Sequence, residues 1–321
     1  MDSLQTTTHH ITAPDGHTIP LIHWQSARSD HHRGYIHICH GMAEHAGRYA
    51  TLAATLCEQG WTVVAHHHRG HGQQSSDPMQ GHYADKDGWS KVTGDVRLVQ
   101  DFLRKRSPDS PRVILGHSMG SFIAQGYLIN HPDPDLAALV LSGSNYDPRN
   151  KLRALRMVAR LEAWRHGARG VSPLLHTLTF GTFAKQLNDG RTEFDWLSRD
   201  TAAVDAYIAD PGCGFDCTAG LWRDLAEGLW QINQLENLAK IRSDLPILIF
   251  AGDKDPVGHF GKGPARLAEA YRKSGHSQVE LQLYPGMRHE SLNERHREQV
   301  FDDLSEWLDK VLPSSRMSAS A

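Results

Sequence analysis

One stretch of the sequence, Val113 to Tyr127, combines three features in a fixed order. A short apolar run rich in β-branched residues leads into Gly116-His117-Ser118-Met119-Gly120, and a helical pattern follows directly. The outer glycines leave room for a sharp turn that presents the Ser118 hydroxyl at its tip. The amino end of the following helix directs free N–H groups toward that hydroxyl. The pattern therefore predicts a strand–turn–helix nucleophile elbow with Ser118 as the nucleophile.

The rest of the chain alternates strand and helix patterns around this elbow. Strands are predicted at 5–12, 18–25, 35–40, 61–65, 136–141, 247–251 and 279–284, and helices at 48–59, 89–106, 263–274 and 294–312. The first two strands meet at Asp15-Gly16, a hairpin turn signal, so the sheet begins antiparallel. The later alternation makes the remainder parallel. With the elbow strand included, we expect an α/β fold: a mostly parallel eight-stranded sheet with helices on both faces.

Residues 145–242 interrupt this alternation with helical patterns and loops. They fall between two sheet strands, at the edge of the sheet where the nucleophile must lie. We therefore expect a core of residues 1–144 and 243–313, a helical cap inserted at 145–242, and a disordered tail at 314–321.

The first helix of this cap is amphipathic. Its apolar face carries Ala154, Met157, Val158, Leu161 and Trp164, and arginines form a second face at Arg149, Arg153, Arg156 and Arg160. The favoured interpretation places the apolar face on the active-site cleft and the arginines in solvent. The alternative is that the helix lies reversibly on an anionic lipid surface.

Composition restricts the class of protein further. The net charge of −3 provides no overall field that would attract nucleic acid. No apolar run approaches the roughly 18 residues of a membrane span, and the first residues do not resemble a secretory signal. The four cysteines have no disulfide-framework spacing and are expected to be reduced. We expect a cytoplasmic protein with at most peripheral membrane contact and no nucleic-acid partner.

A serine nucleophile needs a histidine base and a carboxylate that orients the base. In a sheet of this kind the acid and then the histidine follow later strands. The strand at 247–251 leads to Asp253 and Asp255, and the strand at 279–284 leads to His289. The order predicts His289 as the base and leaves Asp253 and Asp255 open as the acid. Three histidines in or beside helices are the alternatives to His289: His259, His276 and His296.

The oxyanion of the reaction needs two backbone donors. The first is the N–H of Met119, directly after the nucleophile. The second is expected from His40-Gly41-Met42, where the Met42 N–H would donate and Gly41 would allow close approach; a plain strand–helix turn is the alternative. Gly41 and His117 flank these donors and are predicted to contact the substrate.

The tract His66-His67-His68-Arg69-Gly70-His71 raises the question of a metal. Consecutive residues at a strand end point to alternating faces, so the three adjacent histidines cannot converge on one ion. We therefore expect neither a metal nor another cofactor.

Several motifs together resemble the monoacylglycerol lipase and lysophospholipase group of α/β-hydrolases, of the serine aminopeptidase type. They are His40–Tyr49, Ala65–Ser75, Gly116–Gly120, the cap segment Trp196–Pro211, and Arg288–Glu290. The resemblance runs from Tyr35 to the last helix. It implies the α/β-hydrolase fold, and it places the acid at Asp255, the last residue of a Gly-x-x-Asp motif. One departure is His67, which stands where the family usually has an aspartate.

The expected function is hydrolysis of a carboxylic ester through Ser118, His289 and Asp255, with an acyl-enzyme intermediate. The resemblance implies single-acyl-chain lipids, such as monoacylglycerol or lysophospholipid, as the ester substrate. Alternatives with the same triad are a small-ester esterase, a peptidase and a C–C bond hydrolase. A non-catalytic ligand-binding protein on the same scaffold is the alternative from a different class.

Overall fold

A computed structural model describes residues 4–27, 32–72, 79–187 and 190–313. Eight strands form one sheet: β1 (Leu4–Thr12), β2 (Thr18–Ser26), β3 (Gly34–Cys39), β4 (Trp61–His66), β5 (Arg112–His117), β6 (Leu136–Ser142), β7 (Ile247–Gly252) and β8 (Val279–Tyr284). Their order across the sheet is β1-β2-β4-β3-β5-β6-β7-β8. β1 and β2 pair antiparallel, β2 pairs antiparallel with β4, and all other pairs are parallel. The predicted mostly parallel eight-stranded sheet is confirmed.

The helices connect these strands and cover both faces of the sheet. They are α1 (Ala50–Glu58), α2 (Gly88–Arg106), α3 (Met119–Asn130), α4 (Arg149–His166), α5 (Pro173–Leu178), α6 (Phe180–Leu187), α7 (Thr201–Ala209), α8 (Ala219–Ile232), α9 (Leu235–Leu238), α10 (Lys262–Lys273) and α11 (Arg297–Val311). Short 3₁₀ turns occur at Ala46–Tyr49 and Ser291–Asn293. None of the described helices is long and apolar enough to cross a bilayer.

The sequence of β5 shows how two cores form on one sheet. Val113 and Leu115 point to the face covered by α1 and α11, whereas Ile114 points to the face covered by α2, α3, α8 and α10. This alternation follows from the two-residue period of a strand. Because both faces are covered, β5 is apolar at both kinds of position.

Helices α4 to α9 occupy the chain between β6 and β7. Among them, α8 packs against α2 and α3 as well as α4, and its apolar residues belong to the main core. The predicted tail at 314–321 lies outside the described residues.

The orientation of α4 differs from the favoured interpretation. Met157, Leu161 and Trp164 are 72%, 52% and 81% exposed. The buried face instead carries small residues such as Ala159 and Ala163, which let α4 approach α8 closely. The expectation that the large apolar residues face the cleft is therefore wrong.

The arginines of α4 pack along α8. The guanidinium groups of Arg149, Arg153 and Arg156 lie 5.4, 5.8 and 4.8 Å from the centre of the Trp230 ring. Arg156 and Arg160 also pair with Glu227 at 2.8 and 2.5 Å. The basic face of α4 thus contributes to packing, through cation–π and ionic contacts, as well as to the surface charge.

Candidate active site

The elbow lies between the end of β5 and the start of α3. Ser118 has φ 50° and ψ −119°, a strained conformation for a residue with a side chain. A Cβ on Gly120 would lie 2.0 Å from the Cys39 carbonyl oxygen, and one on Gly116 would lie 2.6 Å from the Gly120 carbonyl oxygen. Both glycines are required by these close approaches. The Ser118 N–H donates to the Ser142 carbonyl at 2.9 Å, which ties the elbow to β6.

The Ser118 side chain and the two predicted oxyanion donors have unused hydrogen-bonding capacity. Ser118 is half-buried, and its hydroxyl makes no hydrogen bond within the described part of the chain. Neither the Met42 N–H nor the Met119 N–H donates to another described group. Met119 opens α3, where the first N–H groups of a helix have no partner in the helix. These N–H groups are available to an oxygen atom of a ligand.

His289 and Asp255 form a buried pair. His289 Nδ1 lies 3.0 Å from Asp255 Oδ2, and the exposed fractions of the residues are 2% and 0%. The other oxygen of Asp255 accepts the Val257 N–H at 2.8 Å, which fixes the carboxylate. Burial alone would lower the pKa of His289, but the Asp255 carboxylate and its hydrogen bond outweigh burial and raise that pKa. Because Nδ1 contacts Asp255, Nε2 is the ring nitrogen left to accept a proton, and Asp255 stabilises the imidazolium that would form.

Asp253 and the alternative histidines have other partners. Asp253 Oδ1 accepts the Gly286 N–H at 2.7 Å, a contact between the loops after β7 and β8. His259 Nε2 lies 2.9 Å from Asp147 Oδ1, and His276 Nδ1 lies 3.2 Å from the Tyr271 carbonyl oxygen. His296 precedes the first turn of α11. None of these four residues pairs with Asp255 in the described structure.

Aromatic side chains enclose His289. The His117 ring lies 4.9 Å from the His289 ring, and the Trp196 ring, from the cap, lies 5.3 Å from it. Phe180 and Phe183 of α6 pack on Trp196 at 5.9 and 5.2 Å. The chain between β6 and β7 therefore places Trp196 against the imidazole, with further aromatic surface behind Trp196.

The two predicted substrate-contacting residues, His117 and Gly41, are both buried. His117 Nδ1 lies 3.1 Å from the Ser142 hydroxyl, and burial together with nearby His289 lowers the pKa of His117 to about 4. It is therefore neutral at pH 7. A Cβ on Gly41 would lie 3.3 Å from the His117 ring and 2.6 Å from Glu44 Oε1, so a larger residue there would have to displace the Glu44 carboxylate.

Two groups of side chains have metal-ligand atoms within 4.8 Å of one another: His37, Cys39 and His66, and His45, Asp210 and Cys213. In the first group, Arg112 donates to Gln100 Oε1, so the Gln100 amide donates to His37 Nδ1. His37 Nε2 then carries the hydrogen that it shares with His66 Nδ1 at 2.8 Å. These ring nitrogens are engaged with one another.

The ring nitrogens of His45, in the second group, are also used in hydrogen bonds. His45 Nδ1 accepts the Gly47 N–H at 3.1 Å, so Nε2 carries the hydrogen donated to Asp210 at 2.8 Å. Burial and His45 lower the pKa of the adjacent His67, which replaces the usual family aspartate, to about 4. In both groups a metal would have to displace existing hydrogen bonds, and the expectation of a metal-free protein stays a prediction.

The sequence analysis did not identify a buried ionic cluster beside His289. Arg48 Nη1 lies 2.6 Å from both Glu44 Oε2 and Glu290 Oε1, and Arg48 Nη2 lies 2.7 Å from Glu290 Oε2. Glu44 and Glu290 are 2% and 4% exposed. The available signal was the position of Glu290 directly after His289 and the four-residue spacing of Glu44 and Arg48.

Comparisons with known proteins identify the family. The model of the serine aminopeptidase S33 family matches residues 30–296. A monoacylglycerol lipase of Mycolicibacterium smegmatis is 32% identical over 282 residues, covering 86% of this chain and 88% of that protein. A thermostable carboxyl esterase from Bacillus coagulans, solved in complex with glycerol, is 26% identical with a TM-score of 0.87, covering 97% of this chain and 100% of that one. A lipase in an open form is 29% identical with a TM-score of 0.83 and the same coverage. The chain therefore belongs to the serine aminopeptidase S33 family and is a serine hydrolase with the α/β-hydrolase fold.

Proposed function

We propose that this enzyme hydrolyses carboxylic esters of single-acyl-chain lipids, with monoacylglycerols and lysophospholipids as the substrate class. The observation that carries the proposal is the buried His289–Asp255 pair, together with an elbow whose Ser118 hydroxyl has no hydrogen-bond partner among the described residues. The similarity to a protein named monoacylglycerol lipase, over most of both chains, supports the choice of lipid esters.

The proposed reaction proceeds in two halves. The Ser118 oxygen attacks the ester carbonyl carbon while His289 Nε2 accepts the hydroxyl proton, and Asp255 stabilises the resulting imidazolium. The N–H groups of Met42 and Met119 stabilise the oxyanion. His289 then gives the proton to the leaving alcohol, and an acyl-Ser118 ester remains. Water, deprotonated by His289, releases the fatty acid and restores Ser118, so the cycle requires only groups of the protein and water.

The proposed acyl site lies beneath the cap, for which we propose the bounds 145–242. Phe180, Phe183 and Trp196 provide apolar surface next to His289, as a hydrocarbon chain requires. We place Gly41 and His117 at the ester end of the site, because both adjoin the proposed oxyanion loop or base.

The test is hydrolysis of p-nitrophenyl esters from C2 to C16, together with monoacylglycerol and lysophosphatidylcholine. We expect a maximum at medium or long acyl chains, and we expect Ser118→Ala to lower kcat by about 10⁶-fold. A fluorophosphonate should label wild type and not Ser118→Ala. Turnover restricted to C2–C4 esters would contradict the lipid assignment. A wild type that is neither labelled nor active would favour the ligand-binding alternative.

A second candidate is peptide hydrolysis, which the family's name, serine aminopeptidase, brings forward. Amino-acid p-nitroanilides distinguish it, since an aminopeptidase releases nitroaniline from them and a lipid esterase does not. A kcat/KM for the anilides above that for the best ester would replace the lipid assignment.

We further propose that α4 makes reversible contact with anionic lipid surfaces. Met157, Leu161 and Trp164 form an exposed apolar strip, and Arg153 and Arg160 are exposed beside it. On an anionic lipid surface, the apolar strip could enter the boundary between headgroups and acyl chains while the arginines contact the anionic headgroups.

Vesicle sedimentation tests this contact. Wild type should bind phosphatidylglycerol vesicles more strongly than phosphatidylcholine vesicles, and Trp164→Ser should weaken binding by about tenfold. Ile208→Ser, at an exposed apolar residue on α7, is the matched control and should leave binding unchanged. Equal binding by wild type and Trp164→Ser would contradict the proposal.

A further inference from the structure

The cluster of Glu44, Arg48 and Glu290 joins two loops that the proposed reaction needs at a fixed separation. Glu44 Oε1 accepts the Gly41 N–H and also the Tyr49 hydroxyl at 2.9 Å. The carboxylate therefore holds the peptide next to the proposed donor Met42. On the other side, Glu290 follows the proposed base His289 in the chain.

Arg48 connects these two carboxylates. Both of its terminal nitrogens contact Glu290, at 2.6 and 2.7 Å, and Nη1 also contacts Glu44 at 2.6 Å. A planar guanidinium that binds one carboxylate through two parallel hydrogen bonds fixes orientation as well as distance. One side chain, 12% exposed, thus joins the loop at 41–44 to the loop at 289–290.

The cap contributes to the same cluster. The Tyr207 ring covers the Arg48 guanidinium at 4.8 Å, and its hydroxyl donates to the Ala43 carbonyl at 2.8 Å. The Glu290 N–H donates to the Leu197 carbonyl at 2.7 Å. These contacts cover one face of the Arg48 guanidinium and join residues 197 and 207 to the cluster.

We propose that Arg48, through Glu44 and Glu290, is a positioning residue that sets the oxyanion donor and the base relative to Ser118. The inference rests on the proposed function and deepens it. Arg48 touches neither Ser118 nor His289 in the described structure and acts through the two carboxylates. A displaced loop places the donor or the base at the wrong distance from the developing charge, which slows the chemical step more than substrate binding.

The cluster also sets the charge around the base. His289 is faced by Asp255 from the loop after β7, by His117 from β5, by Glu44 and Arg48 from the loop after β3, and by its neighbour Glu290. Burial alone would raise the pKa of Glu290, but Arg48 outweighs burial and lowers it to about 2. Glu290 is therefore ionised at neutral pH and favours the protonated form of His289.

The test compares Arg48→Lys, Arg48→Met and Glu290→Gln with Arg112→Lys as control. Arg112 is also buried and binds Asp133 through two nitrogens, at 2.9 and 3.0 Å, but it opens β5 at the opposite end of the sheet. The readouts are kcat and KM for the best ester, the rate of fluorophosphonate labelling of Ser118 against pH, and Tm.

We expect kcat to fall about tenfold in Arg48→Lys and about 100-fold in Arg48→Met, with KM little changed. In Glu290→Gln the acid limb of the pH profile should move down by about half a pH unit, because a negative charge beside His289 is lost. Arg112→Lys should lower Tm and leave kcat and the pH profile as in wild type.

Two results would overturn the positioning role. The first is wild-type kcat and labelling rate in Arg48→Lys at a lowered Tm, which would make Arg48 purely structural. The second is a Glu290→Gln variant with the kcat of wild type and an acid limb at the same pH as in wild type. This variant provides the test if Arg48→Met does not fold. The proposed ester hydrolysis can fail independently of this role. If fluorophosphonate labels the wild type but the wild type hydrolyses no ester, the labelling rates of the variants still test the role of Arg48.

Discussion

Arg48 and Arg112 lie at opposite ends of the sheet, and each binds one buried carboxylate through two nitrogens. Arg112 binds Asp133 and Gln100 at the amino ends of the parallel strands, where its contacts join β5 to α2 and to the end of α3. Arg48 binds Glu44 and Glu290 at the carboxyl ends, beside the elbow and His289. Similar contacts join a strand to helices at one end and join two loops beside Ser118 and His289 at the other.

The two ends of the parallel strands also differ in backbone strain, which is concentrated at the carboxyl ends. Among the described non-glycine residues, positive φ occurs at Ala43, Asp87, Ser118, His259 and Phe260. All except Asp87 lie in loops that follow β3, β5 or β7. Strained residues persist where surrounding contacts over-determine them. We therefore expect stability and reactivity to be divided between the two ends of the strands, and substitutions can test that division.

The largest expected effect is at the carboxyl end. Asp255→Asn should lower kcat by about 10⁴-fold, because an amide neither stabilises the imidazolium nor holds the required tautomer of His289. Tm should change little, because the side chains have nearly the same size. Ester kinetics and calorimetry measure the two quantities. Retention of kcat within tenfold would place the acid elsewhere and remove the strongest contrast between the ends.

At the amino end the expected effect is on stability. Arg112→Met leaves Asp133 buried without its main partner and should lower the free energy of unfolding by about 3–5 kcal/mol. The kcat of the folded fraction should stay at the wild-type value. Urea unfolding followed by fluorescence gives the free energy of unfolding. Active-site titration with a fluorophosphonate gives the concentration of folded enzyme, from which kcat is calculated. A kcat that falls with the stability would show that the ends are coupled.

The smallest expected effect, for one residue over one pH unit, is a dependence of stability on pH. Burial lowers the pKa of His37 to about 3 and that of His71 to about 4, and burial with His45 lowers that of His67 to about 4. Below the ordinary value of 6.5 the unfolded chain binds protons that the folded chain does not. Each histidine should therefore reduce stability by about 1.4 kcal/mol per pH unit as the pH falls from 6.5 toward 4.

Asp95 has the opposite effect on stability. Burial raises the pKa of Asp95 to about 6, so the folded state binds a proton on this carboxyl at a higher pH than the unfolded chain does, which stabilises the fold as the pH falls. Urea unfolding between pH 7 and 5 measures the net slope, and His67→Gln should reduce it by the contribution of one proton. Hydrogen exchange at pH 5 should show residues 67–72, after β4, opening before the contacts of Arg112. Equal protection of both regions would contradict the division.

Most of the sheet could be predicted from the sequence, because strand and helix periods and the elbow motif are local signals. The predicted strand at 279–284 coincides with β8, and the others that were given bounds agree to within a residue at each end. The order of the loops after β5, β7 and β8 also follows from a parallel sheet, so the pairing of Asp255 with His289 was within reach.

What could not be predicted depends on contacts between distant segments. Met157, Leu161 and Trp164 have the spacing of a core stripe, but α4 turns its small residues toward α8 and exposes the large ones. The periodicity of one helix does not show which partner it packs against. Arg48 and Glu290 are 242 residues apart, and no local pattern indicates that they meet.

The order of these segments along the chain has a consequence for biosynthesis. The elbow is formed by residues 112–130, but Asp255 and His289 follow the helices α4 to α9. A nascent chain that has left the ribosome only as far as α9 carries the proposed nucleophile without the proposed acid or base, and β7 and β8 must still join the sheet. With this triad, we expect hydrolysis to begin only when the last two strands have paired.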